Sequence, residues 1–129
     1  MADSSALISF FLKEPGWEEL GKHLTLVTTI ELNKKEIYNA VWRAIITSRL
    51  KEEQAKEVLR LVKEYFECCV VMEDQEPLLD KALELATRYK LTVYDSLFVT
   101  LSIIKGLPLI SLDKKQRKVA KELGVNVLP

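Results

Sequence analysis

The stretch from Leu91 to Asp113, LTVYDSLFVTLSIIKGLPLISLD, constrains the fold more than any other part of the chain. Between Leu91 and Ile104 the only charged residue is Asp95; the rest are apolar or small hydroxyl residues. A helix with that composition around its whole circumference belongs in the interior of a domain. A carboxylate carried into such an interior needs a partner, a metal or a proton, and no Lys, Arg or His lies within four residues of Asp95. Lys105-Gly106 reads as the helix end, with Gly in the left-handed conformation and Pro108 just beyond. Leu107 to Ile110 then reads as a short buried strand. Asp113 follows its carboxyl edge and precedes a polar helix. An acid in a buried helix and an acid at a strand end together mark a candidate site.

The remainder alternates between the two periodicities. Ala6 to Leu12 reads as a short helix capped by Ser or Asp from Asp3-Ser4-Ser5, and Trp17 to Leu24 as a second short helix. Thr25 to Leu32 is rich in β-branched residues and reads as a strand. Asn33 is expected to cap a helix running to Thr47, with Ile37, Val41, Ala44 and Ile45 inward. Lys51 to Phe66 is a charged amphipathic helix burying Ala55, Val58, Leu59, Val62 and Phe66. The apolar run Cys68 to Met72 reads as a strand covered on both faces. Glu76 to Tyr89 is expected to be helical with Leu79, Leu83 and Ala86 inward, Lys114 to Leu123 to be the last helix, and Val125 to Leu128 a terminal strand. Strands alternating with helices imply a parallel sheet with helices on both faces, and such sheets bind ligands outside the carboxyl ends of their strands.

Length and charge narrow the functional classes. The 129 residues suffice for a single domain, residues 1–129, with one core. Lys plus Arg equals Asp plus Glu, 19 each, so nucleic acid is not held by bulk charge, although a local basic patch is compatible with that balance. No apolar run is long enough for a membrane span, and no secretory leader is recognisable, so a cytoplasmic protein is expected. The adjacent Cys68 and Cys69 are expected as buried thiols. One histidine, His23, leaves no zinc site, so any metal must be held by oxygen.

Four acids are candidates: Asp3, Glu36, Asp95 and Asp113. Each also has a structural reading. Asp3, Asp95 and Asp113 can cap helices, and Glu36, three residues after Asn33, can close a capping box. Converging carboxylates need a cation, because two charges ~4 Å apart repel by about 4 kcal/mol at an effective dielectric of ~20. Oxygen ligands select Mg²⁺ or Mn²⁺, which keep several waters and favour phosphate. Glu36, Asn39 and Arg43 share a helix face at i, i+3 and i+7, presenting an acid, an amide and a guanidinium suited to phosphate. Ser5 and Ser111 are small hydroxyls placed to orient a carboxylate or a water. Lys114, Lys115, Arg117, Lys118 and Lys121 form a basic run beside Asp113, read either as a solvated helix face or as a rail for a nucleic-acid backbone.

The segments DSSAL (3–7), KEIYNAVWR (35–43), LTVYDSLFVTLS (91–102) and LPLISLD (107–113) together resemble a PIN domain, and most closely the VapC-type toxin ribonucleases. The resemblance covers nearly the whole chain, with TVYDSLFVTL its most specific part. It implies a three-layer α/β/α sandwich on a parallel sheet of about five strands ordered 3-2-1-4-5. It implies that Asp3, Glu36, Asp95 and Asp113 bind Mg²⁺ or Mn²⁺, with Ser5 and Ser111 in support; from helix spacing and charge, Asn39 is expected to add support and Arg43, Lys114, Lys115 and Lys118 to hold the substrate. It further implies a homodimeric endoribonuclease silenced by a cognate antitoxin protein. One departure is visible: only Met1-Ala2 precede Asp3, so either the central strand is very short or the chain starts downstream of its natural start.

Rival readings fit less of the sequence. A phospho-receiver domain needs an acidic pair after its first strand, where this chain has Asp3 followed by two serines. A haloacid-dehalogenase-type phosphatase needs an Asp-x-Asp there. A PIN-fold protein of RNA processing or binding without a toxin role, and a DNA-directed nuclease, remain as alternatives because no residue recognisably reads a 2′-hydroxyl.

Overall fold

The computed structural model describes residues 1–129. Its elements follow in the order α1 (Ser4–Phe11), α2 (Trp17–Gly21), β1 (Val27–Ile30), α3 (Leu32–Ile46), α4 (Glu52–Cys68), β2 (Val70–Glu73), a 3₁₀ turn (Glu76–Leu78), α5 (Leu79–Tyr89), α6 (Val93–Lys105), β3 (Leu109–Ile110), α7 (Lys114–Glu122) and β4 (Val127–Leu128).

All strand pairing is parallel. β1 pairs with β2 in the register Val27 with Val70 through Ile30 with Glu73, and β3 pairs with β4. The expected continuous sheet of about five regular strands is instead two two-stranded sheets. The segment between them is the chain's first three residues: Ala2 N–H donates to Thr28 O at 3.1 Å, Asp3 N–H to Ile110 O at 3.0 Å, and Ile110 N–H to Met1 O at 2.7 Å. The centre of the sheet is a single Ala2–Ile110 bridge.

Side chains alternate across these strands and split the interior in two. Met1, Ile30 and Leu109 face one cluster, with Leu78, Ala82, Leu85, Phe98 and Ala120 from α5, α6, α7 and the turn before α5. Ala2, Val27 and Ile110 face the other, with Leu7, Leu20, Ile37 and Val62 from α1 to α4. The period of two within each strand thus dictates helices on both sides. The middle of α6 is the hydrophobic centre anticipated for it, with Ser96 to Ser102 all buried and Phe98 at 2% exposure, whereas Tyr94, Ile103 and Ile104 at its ends are exposed. Full burial of a side chain of that size contributes roughly 1.5–3 kcal/mol. Gly106 ends the helix at φ +63°, and its N–H bonds back to the last turn, as the Lys-Gly signal indicated.

Several local expectations change. β2 is not covered on both faces: Val71 and Met72 are 47% and 39% exposed, because β2 lies at the sheet's edge. α5 buries Ala82, Leu85 and Ala86 and leaves both Leu79 and Leu83 exposed, since the small alanines let it approach α6 closely. α4 continues through Cys68, so the cysteines end a helix rather than begin a strand. Cys68 is exposed and Cys69 half-buried, so neither lies in the core. No helix is long and apolar enough to cross a membrane.

Candidate active site

The N-terminal ends of α1, α3, α6 and α7 open at the carboxyl end of the strands: Asp3 and Asp113 are the N-caps of α1 and α7, Asp95 lies in the first turn of α6, and Glu36 lies one turn into α3. A cavity of about 300 Å³ there is lined by Asp3, Glu36, Asp95 and Asp113 together with Ser5, Asn39 and Arg43. Four carboxylates separated by up to 110 positions in the chain therefore share one pocket. Glu36, Asn39 and Arg43 reach it from successive turns of α3, as the i, i+3, i+7 spacing requires.

Asp3 is held hardest. It caps α1, its Oδ1 accepting from Ala6 N–H at 3.0 Å and from Ser5 Oγ at 2.8 Å. Its Oδ2 accepts from Ser111 Oγ at 2.5 Å. The side chain is 2% exposed, and burial outweighs these three hydrogen bonds: with a smaller push from Asp113, it drives the carboxyl from 3.8 up to about 6. The two serines join α1 to the loop after β3. Leu112 N–H donates to Ser5 Oγ at 2.8 Å, and Asp113 N–H donates to Ser111 Oγ at 3.1 Å. Glu36 is also held above the usual carboxylate range, by partial burial and then by the nearby Asp95, opposed by the adjacent Ser4 hydroxyl. That hydroxyl makes no hydrogen bond of ordinary geometry.

Capping and site roles overlap in two acids and separate in the others. Asp3 and Asp113 are both caps and pocket walls; Asp113 Oδ1 accepts from Gln116 N–H at 2.6 Å. Asp95 is not the cap of α6. Thr92 is, its Oγ1 accepting from Asp95 N–H at 3.1 Å, so the Asp95 carboxylate is free to face the pocket. Glu36 closes no capping box, because α3 begins at Leu32 and Asn33 lies inside it.

Asn33 has a different task, which sequence reasoning missed. Fully buried, it donates through Nδ2 to Ala2 O at 3.2 Å and to Thr29 Oγ1 at 2.9 Å, while Thr29 donates to the same carbonyl at 2.8 Å. The short opening segment is thereby pinned one residue before Asp3. Gln116 was also missed. It is 2% exposed and lines the pocket; the Asp-x-x-Gln spacing of Asp113 and Gln116 was the available signal.

The basic run divides. Lys114 and Lys118 are exposed on α7. Lys115 Nζ donates to Lys90 O, which ends α5. Arg117 turns inward, donating to Ser111 O at 2.7 Å, Leu128 O at 3.3 Å and Pro129 O at 2.7 Å. It ties β4 to the loop that carries Ser111 and Asp113. None of these lysines lines the cavity; Arg43 is the cation that does.

The donor set fits a hard divalent cation. Every charged or polar atom offered by the acids, serines and amides is an oxygen or an amide nitrogen, with no imidazole or thiol in the pocket. No three acids are gathered tightly enough to enclose an ion alone. That arrangement suits an ion bound through one or two carboxylates and retained waters. Burial that raises the carboxyls of Asp3 and Glu36 is also relieved by a positive charge.

Comparison with known proteins agrees with this architecture. The family model described as PIN domain matches residues 1–122. Ribonuclease VapC3 of Pyrobaculum aerophilum is 28% identical over 132 residues, which cover 100% of this chain and 98% of that protein. The crystal structure of PAE2754 from Pyrobaculum aerophilum aligns with a TM-score of 0.71 at 23% identity, over 92% of this chain and 82% of its own.

Proposed function

The chain belongs to the PIN domain family, and from that premise we propose that it is a metal-dependent endoribonuclease of the VapC toxin type, acting in the cytoplasm and silenced by a cognate antitoxin protein. The observation that carries this reading is the convergence of Asp3, Glu36, Asp95 and Asp113 on one pocket with Arg43 at its wall. The similarity to a protein named as a ribonuclease supports the choice of substrate class.

Each group has a physical task. A Mg²⁺ or Mn²⁺ bound here would supply an activated water and neutralise charge developing on the phosphodiester. Asp95, half-buried and free of capping, and Asp113, with one oxygen uncommitted by its cap, are the acids best placed to bind the ion. Asp3, fixed by Ser5 and Ser111, holds negative charge at the floor of the site. Glu36 is repelled by the neighbouring Asp95 and would face the same ion, which would relieve that repulsion. Asn39 orients the phosphate or a water, and Arg43 takes a phosphate oxygen through its planar fork. Lys114 and Lys118 extend the positive edge for a single strand.

Incubation with labelled single-stranded RNA tests the assignment. Cleavage is expected with Mn²⁺ or Mg²⁺ and its loss with EDTA, while a DNA oligonucleotide of the same sequence stays intact. Cleavage that survives EDTA removes the metal from the proposal, and DNA cut in preference to RNA changes the substrate.

A homodimer belongs to the same reading. Tyr38, Trp42 and Ile46 are 43%, 53% and 58% exposed at i, i+4 and i+8 on α3, beside Leu61 of α4 at 42%. Such a stripe is uncommon on a monomer's surface. Light scattering is expected to give twice the chain mass of 14.8 kDa at micromolar concentration, and a monomer there counts against the interface.

A further inference from the structure

Gln116 is a polar side chain inside the acidic pocket with no structural employment. It is 2% exposed, and its Oε1 is buried and accepts no hydrogen bond from any other protein group. An orphaned buried carbonyl is costly and uncommon in folded proteins. The obvious use for it is closed. In a capping box the third-position Gln reaches back to the backbone N–H of the cap, but Asp113 N–H already donates to Ser111 Oγ at 3.1 Å. Only the backbone of Gln116 takes part in capping, through its N–H to Asp113 Oδ1. That bond sets the first turn of α7 so that the Gln116 side chain lines the same cavity as Asp3, Asp95 and Asp113.

We infer that Gln116 is a positioning residue of the site, its side-chain carbonyl accepting a hydrogen bond from a water in the shell of a divalent cation held by the neighbouring carboxylates. A hydrogen bond from an ion-polarised water is charge-assisted and stronger than a neutral one. An amide supplies that acceptor without a fifth negative charge in a pocket where Asp3 and Glu36 already carry raised carboxyls. The interaction exists only when the ion is bound, which accounts for the idle carbonyl. This inference rests on the metal-dependent reading above.

The test uses thermal melts of the full chain across a Mn²⁺ titration. Gln116→Met keeps an unbranched side chain of similar length and removes the carbonyl; Gln116→Glu keeps an oxygen at the same position. In EDTA, Gln116→Met is expected to melt no lower than wild type, because an unsatisfied polar group has been replaced by an apolar one. Its half-saturating Mn²⁺ concentration is expected to rise about tenfold, as for loss of one hydrogen bond to a charged group. Gln116→Glu is expected to melt lower in EDTA, through repulsion, and to retain Mn²⁺ half-saturation at or below the wild-type value. A wild type that rises with Mn²⁺ beside a Gln116→Met that rises with the same half-saturation overturns this inference alone. A wild type that shows no Mn²⁺-dependent rise overturns the metal reading and this inference with it.

Discussion

Asp95→Asn is expected to cut RNA cleavage by roughly three orders of magnitude, the scale of losing several kcal/mol of metal-assisted stabilisation, while leaving the metal-free protein at least as stable as wild type. The second half of that result follows from the cap geometry. Thr92, not Asp95, accepts the N-terminal hydrogen bond of α6, so the substitution removes no helix cap. It does remove a charge that raises the Glu36 carboxyl, relieving repulsion of at most a few kcal/mol. With Mn²⁺ the order reverses, since an ion that binds only the folded state stabilises it by mass action, and the variant binds it less well. Melting curves in EDTA and across a Mn²⁺ series, read beside the RNA assay, separate the roles. Identical Mn²⁺-dependent shifts in both proteins would remove Asp95 from the ligand set.

The second large effect is a pH dependence centred on Asp3. Its folded carboxyl is pushed by burial to about 6, from 3.8 in the unfolded chain. Between those values the folded state holds a proton that the unfolded state has released, so metal-free stability falls as pH rises through that window and levels off above it. A gap of that size between folded and unfolded carboxyls corresponds to roughly 3 kcal/mol. Asp3→Asn cannot ionise and keeps the cap, because Asn caps about as well as Asp. Urea denaturation of both proteins from pH 4 to pH 8 in EDTA is therefore expected to show the wild type losing about 3 kcal/mol relative to the variant. Parallel curves would mean that Asp3 titrates as an ordinary surface acid. Saturating Mn²⁺ should shrink the difference above pH 6, as the cation takes over the proton's role in neutralising the buried charge.

These two acids show how differently the site could be read from residues alone. Asp95 stood out because nothing near it in the chain can neutralise it, and that is a local property. Asp3 and Asp113 were legible only as caps or ligands, and the structure makes them caps that also wall the pocket, because a helix start at a strand's carboxyl end faces the pocket that the cap helps to build. Asn33 was misread. Its position before an apolar-periodic segment is that of a cap, and only the fold brings Thr29 and the Ala2 carbonyl to its side chain. Lys115 and Arg117 belonged to a basic run in one dimension; in three, one ends α5 and the other fastens β4.

What the amino-acid order determined by itself was the succession of helices and short strands, the buried character of α6, the glycine that ends it and the four acids on offer. Those are carried by near-neighbour patterns: side-chain period, backbone φ preference, and the cost of a charge among apolar residues. The tertiary structure decided which face of α5 is inside, that β2 is an edge, and that Gln116 lies idle against the acids. Each of these depends on a partner far away in the chain. Burial, hydrogen-bond satisfaction and charge repulsion are set by whatever atoms arrive within a few ångströms, and local periodicity carries no record of them.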